Sequence, residues 1–409
     1  MEKVINNVEV MFPESISLER IEETKCLEIF SNEVIIFLDS LSKELLGNLD
    51  IKEFPDVATF AFFCRKANLL KLKKLYVNQE VIRLGRGVVF HIAPSNVPVN
   101  FAYSLVSGLL AGNVNVVKVP SKDFKQINLI CKMISKISVK KEFKNIANQI
   151  VLVKYDKNST NTNVFSSICD ARVIWGGDNT INHIRESLMP AKAFDITFVD
   201  RYSFCVINAN EYLQEENKEQ IAQGFYNDTY LFDQNACTAP HLVIWIGSDD
   251  NVEKSKIIFW NLVTNLVVKK YEKIPSVIAV NKLTSFYSQA FDMDDVKINK
   301  SDDNSLWRIQ LNKLSKEIEG YKCTSGYFSE CSIDSINELN RIVTRKYQTM
   351  SYYGFKKIEL TQFVRESKLS GIDRIVPIGR TLDFSLIWDG YDLIRSLSRV
   401  CDVIHHKGK

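Results

Sequence analysis

"GRGVVFHIAPSNVPVNFAYSLVSGLLAGNVNVVKVPSKDF" occupies residues 85–124. "GVVFHIAP" (87–94) is a short apolar run closed by a proline turn, which is how a buried strand reads. "VPVNFAYSLVSGLLAGN" (97–113) then spaces its apolar residues at helical intervals. Pro98 stands near its first turn, and Gly112-Asn113 is a stop signal. "NVVKVP" (115–120) returns to strand texture. Strand, helix and strand in this order make a parallel unit, because parallel neighbours need a crossover.

The alternation continues downstream. "FKQINLICKMISKI" predicts a helix, "NQIVLVKY" (148–155) a strand and "TNVFSSIC" a helix. "ARVIWGG" (171–177) predicts a strand running into glycines, and "NTINHIRESLM" a helix. This is the pattern of a doubly wound α/β sheet. Residues 1 to about 80 read as amphipathic helices, with Phe60, Phe63, Leu69 and Leu72 at helical intervals. A second α/β run extends from "SFCVINAN" (203–210) to about residue 365, and "KINKSDDNSLWR" (297–308) reads as an exposed loop.

The chain has 409 residues, enough for two or three domains. Its 45% hydrophobic and 25% charged content is that of a globular protein able to bury its own core. A net charge of +3 argues against nucleic acid or an anionic membrane as partner. The nine cysteines are odd in number and contain no CxxC pair, so a disulfide framework or zinc site is not expected and a reducing compartment fits. "MEKVINNVEVMFPES" lacks the basic and apolar regions of a signal peptide, and no stretch is apolar enough to span a bilayer. A cytoplasmic protein is expected.

Four stretches carry candidate chemistry. "FDQNACTAP" (232–240) puts Cys237 among polar residues, on the turn between a helix over "EQIAQGFYNDTYLFDQ" and the strand "HLVIWIG". A free cysteine is commonly a small buried hydrophobe, but a thiolate is favoured near oriented N–H groups in polar surroundings. In "APSNVPVN" (93–100), Asn96 either caps the helix or donates to a developing oxyanion. In "VVKVPSKD" (116–123), Lys118 follows a strand where such sheets bind ligands, and Ser121 and Lys122 suit a phosphate ester or an ordinary loop. In "IWGGDNT" (174–180), Gly176 and Gly177 allow close backbone approach, and the helix N-terminus beyond them favours anions, without a GxGxxG fingerprint. None of the histidines 91, 183, 241, 405 and 406 has metal-ligand spacing to an acid, although His241 could lie near the thiol as an acid or base.

Taken in order, these segments resemble the aldehyde dehydrogenase superfamily, in its acyl-CoA reductase (LuxC-type) branch. Residues 85–124 are similar to the superfamily's strand, "PxNxP" turn, helix and "VxKP" strand. "DQNACTAP" is similar to the segment around its nucleophilic cysteine, and "GIDRIVPIGRTLDFSLIWDGYDLI" (371–394) to the reductase branch's C-terminal signature. The resemblance implies two doubly wound domains with a small oligomerisation element. It implies an N-terminal helical region (1–80), a cofactor domain (81–205), a catalytic domain (206–366) and a C-terminal return segment (367–409). Cys237 would attack an acyl-CoA or acyl-protein thioester, and Asn96 with the Cys237 N–H would hold the oxyanion. Lys118 would meet the ribose of a nicotinamide cofactor, and Gly176 and Gly177 would line it.

Two departures shape the expected reaction. Oxidising members carry a hydrolytic glutamate in "ELGG", where this chain has "TFVDRYSF" (197–204), with only Asp195 and Asp200 nearby. Reduction of the thioester to an aldehyde is therefore expected over hydrolysis. Where NAD-dependent members place an acidic residue after "KP", this chain has Ser121-Lys122, which favours NADPH over NADH. The rival readings are an oxidising aldehyde dehydrogenase and a thiol acyl carrier or scaffold. A ketosynthase-like acyltransferase would need histidine partners that are scarce here. The resemblance also implies an acyl-protein synthetase and an acyltransferase as partners, and a homo-oligomer.

Overall fold

The computed structural model describes residues 5–78, 80–94, 97–271 and 274–403. It divides into two compact units, residues 1–199 with 385–409, and residues 200–384.

The first unit is built on a six-stranded sheet. Its order is Glu9–Phe12, Ile150–Lys154, Val114–Lys118, Val88–Ile92, Ala171–Trp175 and Phe194–Phe198. All neighbours are parallel except Glu9–Phe12, which pairs antiparallel with Ile150–Lys154. Val88–Ile92 is buried at every position, as a strand covered on both faces must be. The predicted helix over 97–113 forms as Asn100–Leu110. It stops at Gly112, whose φ of +84° disfavours a side chain, and buried Asn113 takes the Arg86 N–H at 2.7 Å on its Oδ1. The order of the parallel strands reverses between Val88–Ile92 and Ala171–Trp175. A crevice at the carboxyl ends of two such strands is the usual ligand position in an open α/β sheet.

The N-terminal region forms the predicted helices, among them Asn32–Leu46, Pro55–Phe63 and Lys66–Tyr76. It also contributes Glu9–Phe12, an edge strand that the sequence reading missed. The C-terminal strand Ser398–Cys401 pairs antiparallel with Ile82–Gly85 in a separate two-stranded sheet.

The second unit holds a seven-stranded sheet. Its order is Lys297–Lys300, Trp307–Gln310, Tyr327–Ile333, Pro240–Ile246, Tyr202–Asn208, Tyr347–Tyr353 and Arg374–Pro377. Only the Lys297–Lys300 pairing is antiparallel. The stretch 297–308 is thus not a plain loop: Lys297–Lys300 is an exposed edge strand, and Leu306 and Trp307 are buried. The units divide at Val199/Asp200 and at Phe384/Ser385, whereas the sequence reading divides the chain at 205/206 and 366/367. The first of those points would cut Tyr202–Asn208 in two. That strand pairs along its length with Pro240–Ile246 and so belongs wholly to the second sheet.

Among the described residues, no helix is long and apolar enough to cross a membrane.

Candidate active site

In the second unit, the helix Lys218–Tyr230 ends well before the strand Pro240–Ile246, and Cys237 lies on the connection. Asp233 and Gln234 both adopt positive φ, 51° and 61°, which turns the chain sharply after the helix. Gln234 holds that turn in place. It is 1% exposed, and its amide makes four bonds: Nε2 donates to the carbonyls of Pro240 and Tyr327, both at 2.9 Å, while Oε1 accepts from the N–H groups of Gly326 and Tyr327, both at 3.0 Å. Buried Ser203 donates to the Cys237 carbonyl at 2.7 Å and accepts from the Thr349 N–H at 3.2 Å.

Strand register explains what surrounds the thiol. Ser203 pairs with Pro240, Tyr347 with Tyr202, and Thr349 with Arg374. The amino ends of four adjacent parallel strands therefore converge on the Cys237 turn. Gln348, 2% exposed, donates through Nε2 to the Cys237 sulfur at 3.5 Å. Arg374 donates to the carbonyls of Thr381 at 2.8 Å, Arg380 at 3.2 Å and Asp383 at 2.5 Å. Burial pulls the Arg374 guanidinium below its ordinary pKa, opposed by Asp383, Asp228 and Cys237. An N–H donor on a thiol sulfur favours the thiolate.

The loop that receives Arg374 is itself anchored. Asp228, 2% exposed on the helix Lys218–Tyr230, accepts the N–H groups of Gly379 at 2.6 Å and Thr381 at 3.0 Å. Burial pushes its carboxyl up to about 6, against those donors.

Cys237 differs from the buried cysteines. It is half-buried, whereas burial pushes the thiols of Cys131, Cys169 and Cys205 up to about 12. His241 makes a poor proton carrier. It is buried, stacks on Tyr202 at 5.8 Å and is held down to about 3 by desolvation first and then by Lys322.

In the first unit, Lys118 is the last residue of Val114–Lys118 and is half-buried. Its ammonium lies 4.7 Å from the centre of the Tyr155 ring, and burial lowers its pKa. Ser121 donates to the Tyr155 carbonyl at 3.3 Å, and Lys122, exposed, lies 5.0 Å from the Phe124 ring. Lys118 and Ser121 thus meet around Tyr155.

Gly176 and Gly177 follow Ala171–Trp175, one strand beyond Val88–Ile92. A Cβ on Gly177 would meet nothing within 4 Å, and its φ of −70° suits any residue. Neither packing nor backbone conformation requires glycine there, and the space beside it is open. Asp178 already supplies a carboxylate at the start of the next helix, so phosphate is disfavoured at that point. Asn96 lies outside the described residues.

Neither carboxylate considered in place of the hydrolytic glutamate is free. Asp195 pairs with Arg172 at 2.7 Å and Arg185 at 3.3 Å, and Asp200 with Lys322 at 2.5 Å.

A family model described as acyl-CoA reductase (LuxC) matches residues 75–400. The chain belongs to the acyl-CoA reductase (LuxC) family. Two curated relatives are long-chain acyl-protein thioester reductases. That of Vibrio harveyi is 22% identical over 79% of this chain, and that of Photorhabdus laumondii 23% identical over 79%. The chain spans 64% of the length of each. Solved structures share the fold. Lactaldehyde dehydrogenase from Escherichia coli superposes with a TM-score of 0.62 at 11% identity, over 90% of this chain and 85% of that one. PnpE in complex with nicotinamide adenine dinucleotide does so with a TM-score of 0.62 at 12% identity, over 90% and 84%. The chain is thus an α/β protein of the aldehyde dehydrogenase-like type.

Sequence reading missed Ser203, Gln234, Asp228 and Gln348 as parts of this site. Arg374 lies inside the C-terminal signature, which was the one available signal for it.

Proposed function

We propose that this protein reduces a long-chain acyl thioester, carried on coenzyme A or on a protein, to the aldehyde through an acyl group bound to Cys237. The observation that carries this reading is the Cys237 turn, with the Gln348 amide on the sulfur. The Cys237 thiolate attacks the acyl carbonyl, a C–S bond forms, and the donor thiol leaves as the old C–S bond breaks. Asn96 and the Cys237 N–H are the proposed oxyanion donors. A nicotinamide cofactor, when bound, supplies the two electrons as hydride. Lys118, Ser121 and Lys122 would hold its adenosine ribose end, and Gly176 and Gly177 would let it approach the backbone. The half-buried Lys118 and the bare Gly177 fit such a group. Lys122, in place of a carboxylate, favours the 2′-phosphate of NADPH over NADH. With Asp195 and Asp200 both paired to cations, water activation by either is disfavoured, so the acyl group awaits reduction. The relatives' names support an acyl-protein substrate. A synthetase and an acyltransferase that supply the acyl group, and assembly with copies of itself, belong to the same reading.

One experiment tests this. A radiolabelled long-chain acyl thioester should label the wild-type chain at Cys237 and leave Cys237→Ser unlabelled. NADPH should then discharge the label as aldehyde, faster than NADH does. Label on another residue, or discharge as free fatty acid, overturns the proposal.

A further inference from the structure

Gln348 is the second residue of the strand Tyr347–Tyr353, one before Thr349, which pairs with Arg374 on one side. The next residue's N–H is tied to Ser203, and Ser203 in turn holds the Cys237 carbonyl. One rung of the sheet therefore fixes both the backbone of the nucleophile and the side chain that reaches its sulfur. The amide is 2% exposed, so the bond to sulfur at 3.5 Å is shielded from competing water. A shielded N–H donor favours an ionised acceptor over a neutral one, because the charged acceptor gains about twice as much from it.

We propose that Gln348 is a further catalytic residue, donating its side-chain N–H to the Cys237 sulfur so as to hold the sulfur's negative charge at both ends of the reaction. The first is the attack, when the sulfur lone pair forms the new C–S bond and the donor thiol departs. The second is product release. After reduction by the nicotinamide cofactor, the C–S bond breaks, its electron pair returns to sulfur and the aldehyde leaves. This role rests on the reading of Cys237 as the nucleophile.

The test is the pH profile of Cys237 alkylation by iodoacetamide, with the modified peptide located by mass spectrometry. It requires neither cofactor nor acyl donor. In Gln348→Met, which keeps the volume and removes the donor, the alkylation midpoint should rise by about one pH unit, the worth of one hydrogen bond to a charged group. In Gln348→Glu, which keeps the shape and adds a negative charge, it should rise further. A purely structural glutamine would leave the Gln348→Met midpoint unchanged, and that result overturns the proposal; an unchanged midpoint in Gln348→Glu, where any carboxylate within reach of the sulfur must raise it, overturns it as well. Should Gln348→Met fail to fold, Gln348→Leu takes its place, and an unchanged midpoint there overturns the proposal. Acyl labelling of the same variants separates the two readings. Shifted alkylation without any acyl labelling of the parent at Cys237 would remove the thioester reading and leave Gln348's effect on the thiol standing.

Discussion

Arg172 is 1% exposed in the core of the first unit, where its donors are satisfied. It donates to Asp195 at 2.7 Å, to Ser166 Oγ at 3.1 Å and to the carbonyls of Ile184 and Ser187 at 2.9 and 3.0 Å. Asp195 is the counter-charge that makes this burial tolerable. Its role is therefore structural, although in sequence it lies close to the position of a hydrolytic base. Asp195→Ala leaves a buried guanidinium without its carboxylate, and the expected cost is about 3–5 kcal/mol of folding free energy. Urea unfolding measures it. The partition of the acyl-enzyme between aldehyde and free acid should stay as in the parent for whatever fraction remains folded. A rise in the aldehyde share would instead mark Asp195 as a base for water.

At the scale of elements, the site depends on one close helix-to-loop contact. A Cβ on Gly224, in the helix Lys218–Tyr230, would come within 3.1 Å of the Gly379 Cα and 3.3 Å of the Ile378 carbonyl carbon. Both neighbours are backbone and cannot swing aside as a side-chain tip could. Gly379 itself has φ of +88°, where a side chain is strained. The same helix supplies Asp228 to that loop, and the loop supplies three carbonyls to Arg374. Gly224→Val should push the 378–383 loop away, at a cost of about 1–3 kcal/mol. The far-ultraviolet circular dichroism should be retained while acylation of Cys237 slows, because Arg374 loses its mooring. Unchanged acylation in a folded Gly224→Val would separate the loop from the site. The sheet cores were legible in the sequence because strands buried on both faces read as unbroken apolar runs, as in Val88–Ile92. The edge strands Glu9–Phe12 and Lys297–Lys300 were not, being short and partly or wholly exposed. Cys237 stands out in the sequence as a candidate through its polar neighbours. Ser203 and Gln348 reach it only through the register of strands far apart in the chain, and a single sequence does not contain that register.

Across the whole molecule, each unit buries a neutral histidine on a central strand. His91 lies between Ser104 Oγ at 2.8 Å and Asn115 Oδ1 at 3.0 Å, and burial lowers its pKa to about 4. His241, in the second unit, is lowered to about 3. An unfolded histidine titrates near pH 6.5. Below that pH the unfolded chain takes up protons that the folded chain refuses, so stability is fully present above about 6.5 and falls as the pH drops toward the folded values. Asp228 works in the other direction. Raised to about 6, it binds its proton first in the folded state and adds stability as the pH falls from there toward the ordinary carboxylate range. At pH 5 each histidine costs about 2 kcal/mol and Asp228 returns about 1, so the histidines prevail. The thermal midpoint should therefore fall by several degrees between pH 7 and pH 5, at about 2–4 °C per kcal/mol for units of this size. His91→Gln removes one of the two proton acceptors from the unfolded chain while leaving an amide to face Ser104 and Asn115. It should flatten that decline without needing to raise the midpoint at pH 7. Scanning calorimetry of parent and variant at the two pH values decides the matter, and an equally steep decline in His91→Gln would assign the acid sensitivity to other groups.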